Sequence, residues 1–208
     1  MTVKIYLARH ATPDWSRTDI RYDIPPGPPL TAQGEAEARK LGEFLRAKKI
    51  SHVYASPLER TQRTAVLAAA VLGLPVVTEE LIAEWRRGEN ETDVAGRFNG
   101  FWERICRQSE TEGPVLLVTH GGPIKVMLLN LGMPRTMVDE YCRKFDRGNP
   151  VPPAGIWLAA NSTNETPWHL ELIFNPNEPD STPERNRDNS ESAPSGVPVD
   201  ASGATVYV

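Results

Sequence analysis

Apolar residues along this chain fall in short runs that alternate with stretches of helical spacing. Val3 to Ala8 is nearly unbroken apolar sequence and reads as a buried strand. After a proline-rich loop, Thr31 stands as an N-cap ahead of Glu35 and Glu37, and Ala38, Leu41 and Leu45 follow on one helical face. His52 to Ser56 predicts a second strand ended by Pro57, and the alanine-rich Leu58 to Leu72 a helix stopped by Gly73. Pro75 to Thr78 predicts a third strand. Ala95 to Ser109 predicts a helix with Phe98, Phe101, Trp102 and Ile105 on its apolar side. Val115 to Thr119 (Val-Leu-Leu-Val-Thr) is the run expected of a central strand covered on both faces. Gly121-Gly122-Pro123 then opens a helix to about Leu131, with Pro123 at its first position, where an N–H would have no partner. Ile156 to Ala160 and His169 to Phe174 predict a closing pair of strands joined by a polar turn.

Strands and helices in alternation predict an α/β domain on a mainly parallel sheet, spanning residues 1–174. From 175 to 208 the chain is rich in Pro, Ser, Asn, Asp and Glu and has almost no large apolar residue. Such a stretch cannot bury enough surface to offset its ordering entropy, so a disordered tail is expected.

Charge and composition narrow the partners. A net charge of −4 gives no reason to expect nucleic acid. No run approaches the roughly 18–20 apolar residues of a membrane span. The apolar run before Arg9 is too short for a signal-peptide core and has no small-residue cleavage site after it, so a cytoplasmic protein is expected. Cys106 and Cys142 show no metal spacing and read as reduced thiols in helices. Arginine is nonetheless dense in particular loops (Arg9, Arg17, Arg21, Arg60, Arg63, Arg86, Arg87), which suits a small anionic ligand.

Parallel α/β sheets hold their ligands at the C-terminal ends of strands. Three such ends carry reactive groups here. The first strand ends in Arg9-His10-Ala11, the second leads through Ser56-Pro57-Leu58-Glu59 to Arg60, and the central strand ends in His120-Gly121-Gly122. Glu84, after the third strand, can reach the same crevice. His52 and His169 lack such company and read as structural or solvent-facing.

These pieces resemble the histidine phosphatase superfamily, with its phosphoglycerate mutase-like fold. The matching segments are Arg9-His10-Ala11, Pro29-Leu30-Thr31-Ala32-Gln33-Gly34, Ser56-Pro57-Leu58-Glu59-Arg60 with Thr64-Ala65, Leu81 with Glu84 and Gly88, and Thr119-His120-Gly121-Gly122. They stand in the family's order and span roughly residues 3 to 174. The resemblance implies a three-layer α/β/α sandwich and a metal-independent phosphomonoesterase that needs no cofactor. His10 would be the nucleophile, one ring nitrogen attacking phosphorus while the other is held by a backbone carbonyl. Arg9, Arg60 and His120 would surround the phosphoryl oxygens, the arginines and a protonated histidine supplying positive charge. Glu84 would be general acid, then general base. Ser16, Arg21, Gly121 and Gly122 would help bind a small phosphorylated substrate.

Departures from the family pattern cluster around the substrate. Ala11 replaces a glycine, Ser16 an asparagine, and Asp23-Ile24-Pro25-Pro26-Gly27-Pro28 and Gly88-Glu89-Asn90-Glu91-Thr92 replace the usual neighbouring stretches. Two other readings share the motifs: phosphoryl transfer of the phosphoglycerate mutase type, and a non-catalytic phospholigand-binding protein. The short segment between Glu84 and the helix near Ala95 favours hydrolysis, because mutases of the family carry longer insertions there. Neither the substrate nor the oligomeric state is specified by the sequence.

Overall fold

Residues of β1 (Thr2–Arg9) alternate across the middle of a sheet, with Val3, Ile5 and Leu7 packed on one side and Tyr6 and Ala8 on the other. β4 (Val115–Thr119) does the same, Val115 and Leu117 against Leu116 and Val118, and every residue in it is buried. Two separate apolar layers therefore flank the sheet, as three-layer packing demands. The computed structural model describes residues 2–162 and 167–178.

β2 (His52–Ala55), β3 (Val76–Thr78), β5 (Ile156–Ser162) and β6 (His169–Phe174) complete a six-stranded sheet in the order β3-β2-β4-β1-β5-β6. The pairings from β3 to β1 are parallel, and only β5, between β1 and β6, runs the other way. One face is covered by α1 (Ala32–Leu45) and α2 (Glu59–Leu72), whose Leu41, Leu45, Ala65, Ala68 and Ala69 pack with Leu116 and Val118. The other is covered by α3 (Glu91–Glu112) and α4 (Gly121–Asn130), through Phe98, Phe101, Ile105, Ile124 and Met127. The α/β/α sandwich with a mainly parallel sheet is thus the observed architecture. No helix among the described residues is long and apolar enough to cross a membrane.

Three local expectations need correction. α3 begins at Glu91 rather than Ala95, because Asn90 and Asp93 form a reciprocal capping box that satisfies the first turn. α4 begins at Gly121 with His120 as N-cap, so Pro123 is its third residue; its missing N–H still falls among those without an intrahelical acceptor. A further helix, α5 (Arg135–Lys144), buries only Val138 and gave no wide apolar stripe to read. Cys106 and Cys142 are free thiols on α3 and α5. The expected tail lies, from residue 179 on, outside the described residues, as does the turn at 163–166.

Candidate active site

The strand order brings the predicted residues together. β4 lies between β2 and β1, so Arg9, Ser56 and His120 emerge side by side at one rim; the His10 N–H bonds the Thr119 carbonyl at 2.9 Å and the Ser56 N–H the Val118 carbonyl at 3.0 Å. Arg60 sits in the first turn of α2, directly after β2. Arg9, His10, Arg60 and His120 are all buried to 1% exposure or less. Arg9 has a close carboxylate partner in Asp146, but the nearest to Arg60, Glu84, stands 3.7 Å away. A buried guanidinium without a close counter-charge is costly unless something anionic belongs there.

Hydrogen bonding fixes both rings. His10 Nδ1 lies 2.7 Å from the Ala11 carbonyl oxygen, which can only accept, so the proton is on Nδ1 and Nε2 carries a free lone pair. The same Ala11 gives its N–H to Thr64 Oγ1, whose hydroxyl donates to the Arg60 carbonyl. Arg60 Nη2 donates to His120 Nδ1 at 3.1 Å, leaving His120 Nε2–H to donate to Ser56 Oγ at 2.7 Å. The two rings meet edge to face, centroids 5.3 Å apart. Burial first, then the charges of Arg60 and Arg9, hold His10 well below the ordinary histidine range, and His120 is depressed in the same way. His120 Nδ1, as acceptor of the Arg60 N–H, carries no proton in this arrangement, and the positive charge beside it is that of Arg60.

Glu84 reaches the cluster from a turn after β3. Its Oε2 stands 3.7 Å from Arg60 Nη2 and 3.6 Å from His120 Nδ1 and accepts from the Tyr22 hydroxyl at 3.2 Å; its Oε1 accepts from the Trp85 N–H at 3.0 Å. Burial raises its pKa above the ordinary glutamate value, against the opposing pull of that N–H and of Arg60. Tyr22, pushed up to about 12 mainly by its own burial, keeps its proton and remains a donor.

Four buried side-chain polar atoms have no partner among the described residues, and three of them are here: Arg9 Nε, His10 Nε2 and Arg60 Nε. Two donors and one lone pair left unsatisfied in one cluster mark the place where a tetrahedral anion would be bound.

The structure also redistributes roles. Arg9 spends both terminal nitrogens on Asp146, at 2.5 and 3.0 Å, and donates to the Val151 carbonyl, so only its Nε remains for a ligand. Ser16 and Arg21 are not brought to the cluster: both are exposed, Ser16 bonded to Asp14 and Arg21 paired with Asp23. Gly121 and Gly122 open α4 beside His120, and each is glycine for a steric reason. A Cβ on Gly121 would collide with the Asn149 side chain, and one on Gly122 would lie 2.6 Å from Trp85 Nε1 and 3.2 Å from Glu84 Oε1.

Sequence reading missed Tyr22, Trp15, Asp146 and Arg147. Arg60 packs over Tyr22 at 3.8 Å, Tyr22 stacks on Trp15 at 4.9 Å, and Arg147 lies over Trp15 at 3.6 Å. These residues come from two loops more than 120 positions apart, and no spacing rule connects them. Among the described residues no cluster of His, Cys, Asp and Glu could hold a metal ion.

Two neutral histidines predict an acid-sensitive fold. The unfolded chain binds protons on them below the ordinary value of 6.5, while the folded chain does not. Each should therefore remove up to ~1.4 kcal/mol of stability per pH unit as pH falls below that value. Glu84 acts with opposite sign just above the ordinary glutamate value, but the histidines outnumber it. Tm should fall between pH 7 and 5, and inorganic phosphate should offset part of the loss. A shallower fall in His10→Ala than in wild type, with the remainder carried by His120, would localise the effect.

Comparison with known proteins points the same way. The model of the histidine phosphatase superfamily (branch 1) matches residues 5–92 and 85–142. The probable phosphoglycerate mutase GpmB of Salmonella paratyphi A is 29% identical over 117 residues, 55% of this chain and 54% of that protein. The protein of the same name from Photorhabdus laumondii is 33% identical over 152 residues, 57% of this chain and 70% of the relative. The chain thus spans about half the length of the first of these relatives. Among solved structures, a mycobacterial glucosyl-3-phosphoglycerate phosphatase superposes with a TM-score of 0.65 at 18% identity, covering 83% of this chain and 98% of that one. A putative alpha-ribazole-5'-P phosphatase from Escherichia coli gives 0.64 at 20%, covering 84% and 97%. At such identities the likeness is one of fold.

Proposed function

The chain belongs to the histidine phosphatase superfamily (branch 1), and on that premise we propose that it hydrolyses a small phosphorylated metabolite through a phosphohistidine on His10. The observation that carries this reading is the state of His10: Nδ1–H tied to a carbonyl, Nε2 buried and unpartnered, and the ring held neutral. A neutral imidazole with an unpartnered lone pair, buried in one cluster with Arg9 and Arg60, is a ready nucleophile.

Nε2 attacks phosphorus in line with the leaving oxygen, forming the N–P bond as the P–O bond breaks. Arg60 and the Nε of Arg9 take up charge on the equatorial oxygens. Once a dianion is bound, His120 has reason to gain a proton and add a third donor. Glu84, whose pKa burial raises towards that of a working acid, gives a proton to the leaving alcohol. A water then attacks the phosphohistidine while the Glu84 carboxylate takes its proton. Inorganic phosphate leaves, and both residues regain their starting states. No metal or organic cofactor enters this scheme.

Hydrolysis rather than mutase chemistry is favoured by the span between Glu84 and α3, which begins at Glu91 and leaves no room for a long closing insertion. Retention of the whole cluster speaks against a purely binding role. The purified protein should release phosphate from p-nitrophenyl phosphate with no bisphosphoglycerate present. Strict dependence on that compound would establish the mutase reading instead, and tight phosphate binding without turnover on a wide panel of esters would establish the binding one.

A further inference from the structure

Glu84 stands on a turn that belongs to no helix or strand. The regular structure before it is a short 3-10 turn, Glu80–Ile82, and α3 does not begin until Glu91. One side chain of α3 fastens this turn. Arg97 donates through Nη1 to the Leu81 carbonyl at 2.6 Å and through Nη2 to the Glu84 carbonyl at 3.1 Å. The same guanidinium makes a two-pronged bond to Glu89, Nε to Oε1 at 2.9 Å and Nη2 to Oε2 at 3.1 Å. Glu89 also accepts from the Arg86 N–H at 2.8 Å. The pair is largely shielded from water, with side chains 9% and 15% exposed.

A planar fork with five donors can reach two carbonyls and both oxygens of a carboxylate at once, four acceptors in all; an ammonium has three donors on one atom and cannot. Arg97 thereby joins both ends of the Leu81-to-Glu89 turn, with Glu84 between them. From the far side, Thr119 Oγ1 holds the Ile82 carbonyl at 2.6 Å, which ties the turn to the strand that delivers His120. Nothing in the spacing of the sequence distinguished Arg97 from a solvated helix arginine.

We infer that Arg97, held by Glu89, is a positioning residue that sets the carboxyl of Glu84 at the leaving-group oxygen. This rests on the reading of Glu84 as general acid, and its consequence is a dependence on leaving group. An alkanol must be protonated as it departs, so its ester needs Glu84 in register. p-Nitrophenolate leaves as a stable anion and does not. Misplacement of a proton donor by even an ångström is enough to remove much of its contribution.

The test measures kcat/KM for benzyl phosphate and p-nitrophenyl phosphate in wild type, Arg97→Lys, Glu89→Gln and Glu84→Gln. kcat/KM covers binding through departure of the alcohol, so the later hydrolysis of the phosphoenzyme does not enter. Lysine keeps the charge near His120 and removes only the fork. For Arg97→Lys we expect a ~10–100-fold loss on benzyl phosphate and less than about 3-fold on p-nitrophenyl phosphate, with vanadate affinity unchanged within about 3-fold. Glu89→Gln should move the same way by a smaller factor, and it serves should Arg97→Lys fail to fold. Glu84→Gln should show the same selectivity more strongly. Equal losses on both esters in Arg97→Lys and Glu89→Gln, or no loss on either, would overturn the positioning role while leaving Glu84 intact. Equal losses in Glu84→Gln itself would overturn the general-acid reading and the inference with it.

Discussion

His10→Ala should lower phosphate release by about four orders of magnitude or more and abolish a covalent intermediate. Nothing beside it can substitute. His120 is the nearest imidazole, but both its nitrogens are engaged, by Arg60 and Ser56, whereas His10 Nε2 is free. Brief incubation of wild type with a labelled ester, followed by quenching, should trap label that is acid-labile and alkali-stable, as expected of a phosphoramidate bond. His10→Ala should trap none while still melting cooperatively, since the deletion removes a desolvated ring whose one protein bond is to its neighbour's carbonyl. Label that persists in the variant would move the nucleophile elsewhere and sink the mechanism.

Removing Arg60 should come second in size. Its guanidinium meets three other members of the site: Nη1 donates to the Tyr22 carbonyl at 2.9 Å, Nη2 to His120, its plane covers the Tyr22 ring, and Glu84 lies 3.7 Å away. Because it is fully buried, its charge is little screened, and among the charges that depress both histidines it acts most strongly. Arg60→Ala should cost about 10³-fold in kcat/KM, and Arg60→Lys about 10²-fold, since lysine keeps the charge but not the paired donors. The histidine pKa values of Arg60→Ala should rise, visible as shifted imidazole NMR titrations. Unchanged titrations would show that burial alone holds the rings neutral.

What could be read from the chain and what could not divides along physical lines. Central strands announce themselves because both faces must be apolar, and Val115 to Thr119 was unambiguous for that reason. The residues at strand ends followed, since a parallel sheet delivers its strand ends to one rim. Partners across that rim did not follow. Asp146 meets Arg9 from 137 positions away, on a segment whose Arg147 adopts a left-handed backbone, and no local pattern predicts such a pair. Ser16 and Arg21 show the converse. Each satisfies itself on an aspartate two residues away, so sequence position near His10 placed them in the right loop without giving them the right contacts. The start of α3 is set by the Asn90 and Asp93 capping box. Asn90 stands eight residues ahead of Phe98, where the apolar stripe read along the sequence begins, so the stripe alone places the helix too late.

The strand order has a consequence for how the protein comes into being. β1 and β2 do not pair with each other; β4, made later, lies between them and pairs with both. Within the first hundred residues, β1 and β2, whose ends lead to His10 and Arg60, therefore have no strand to join them. Residues 115–119 supply it, and the same step sets His120 beside His10. Such a late, sequence-distant insertion is slow compared with helix formation. Gain of activity during refolding should accordingly lag the recovery of helical signal and coincide with closure of the sheet.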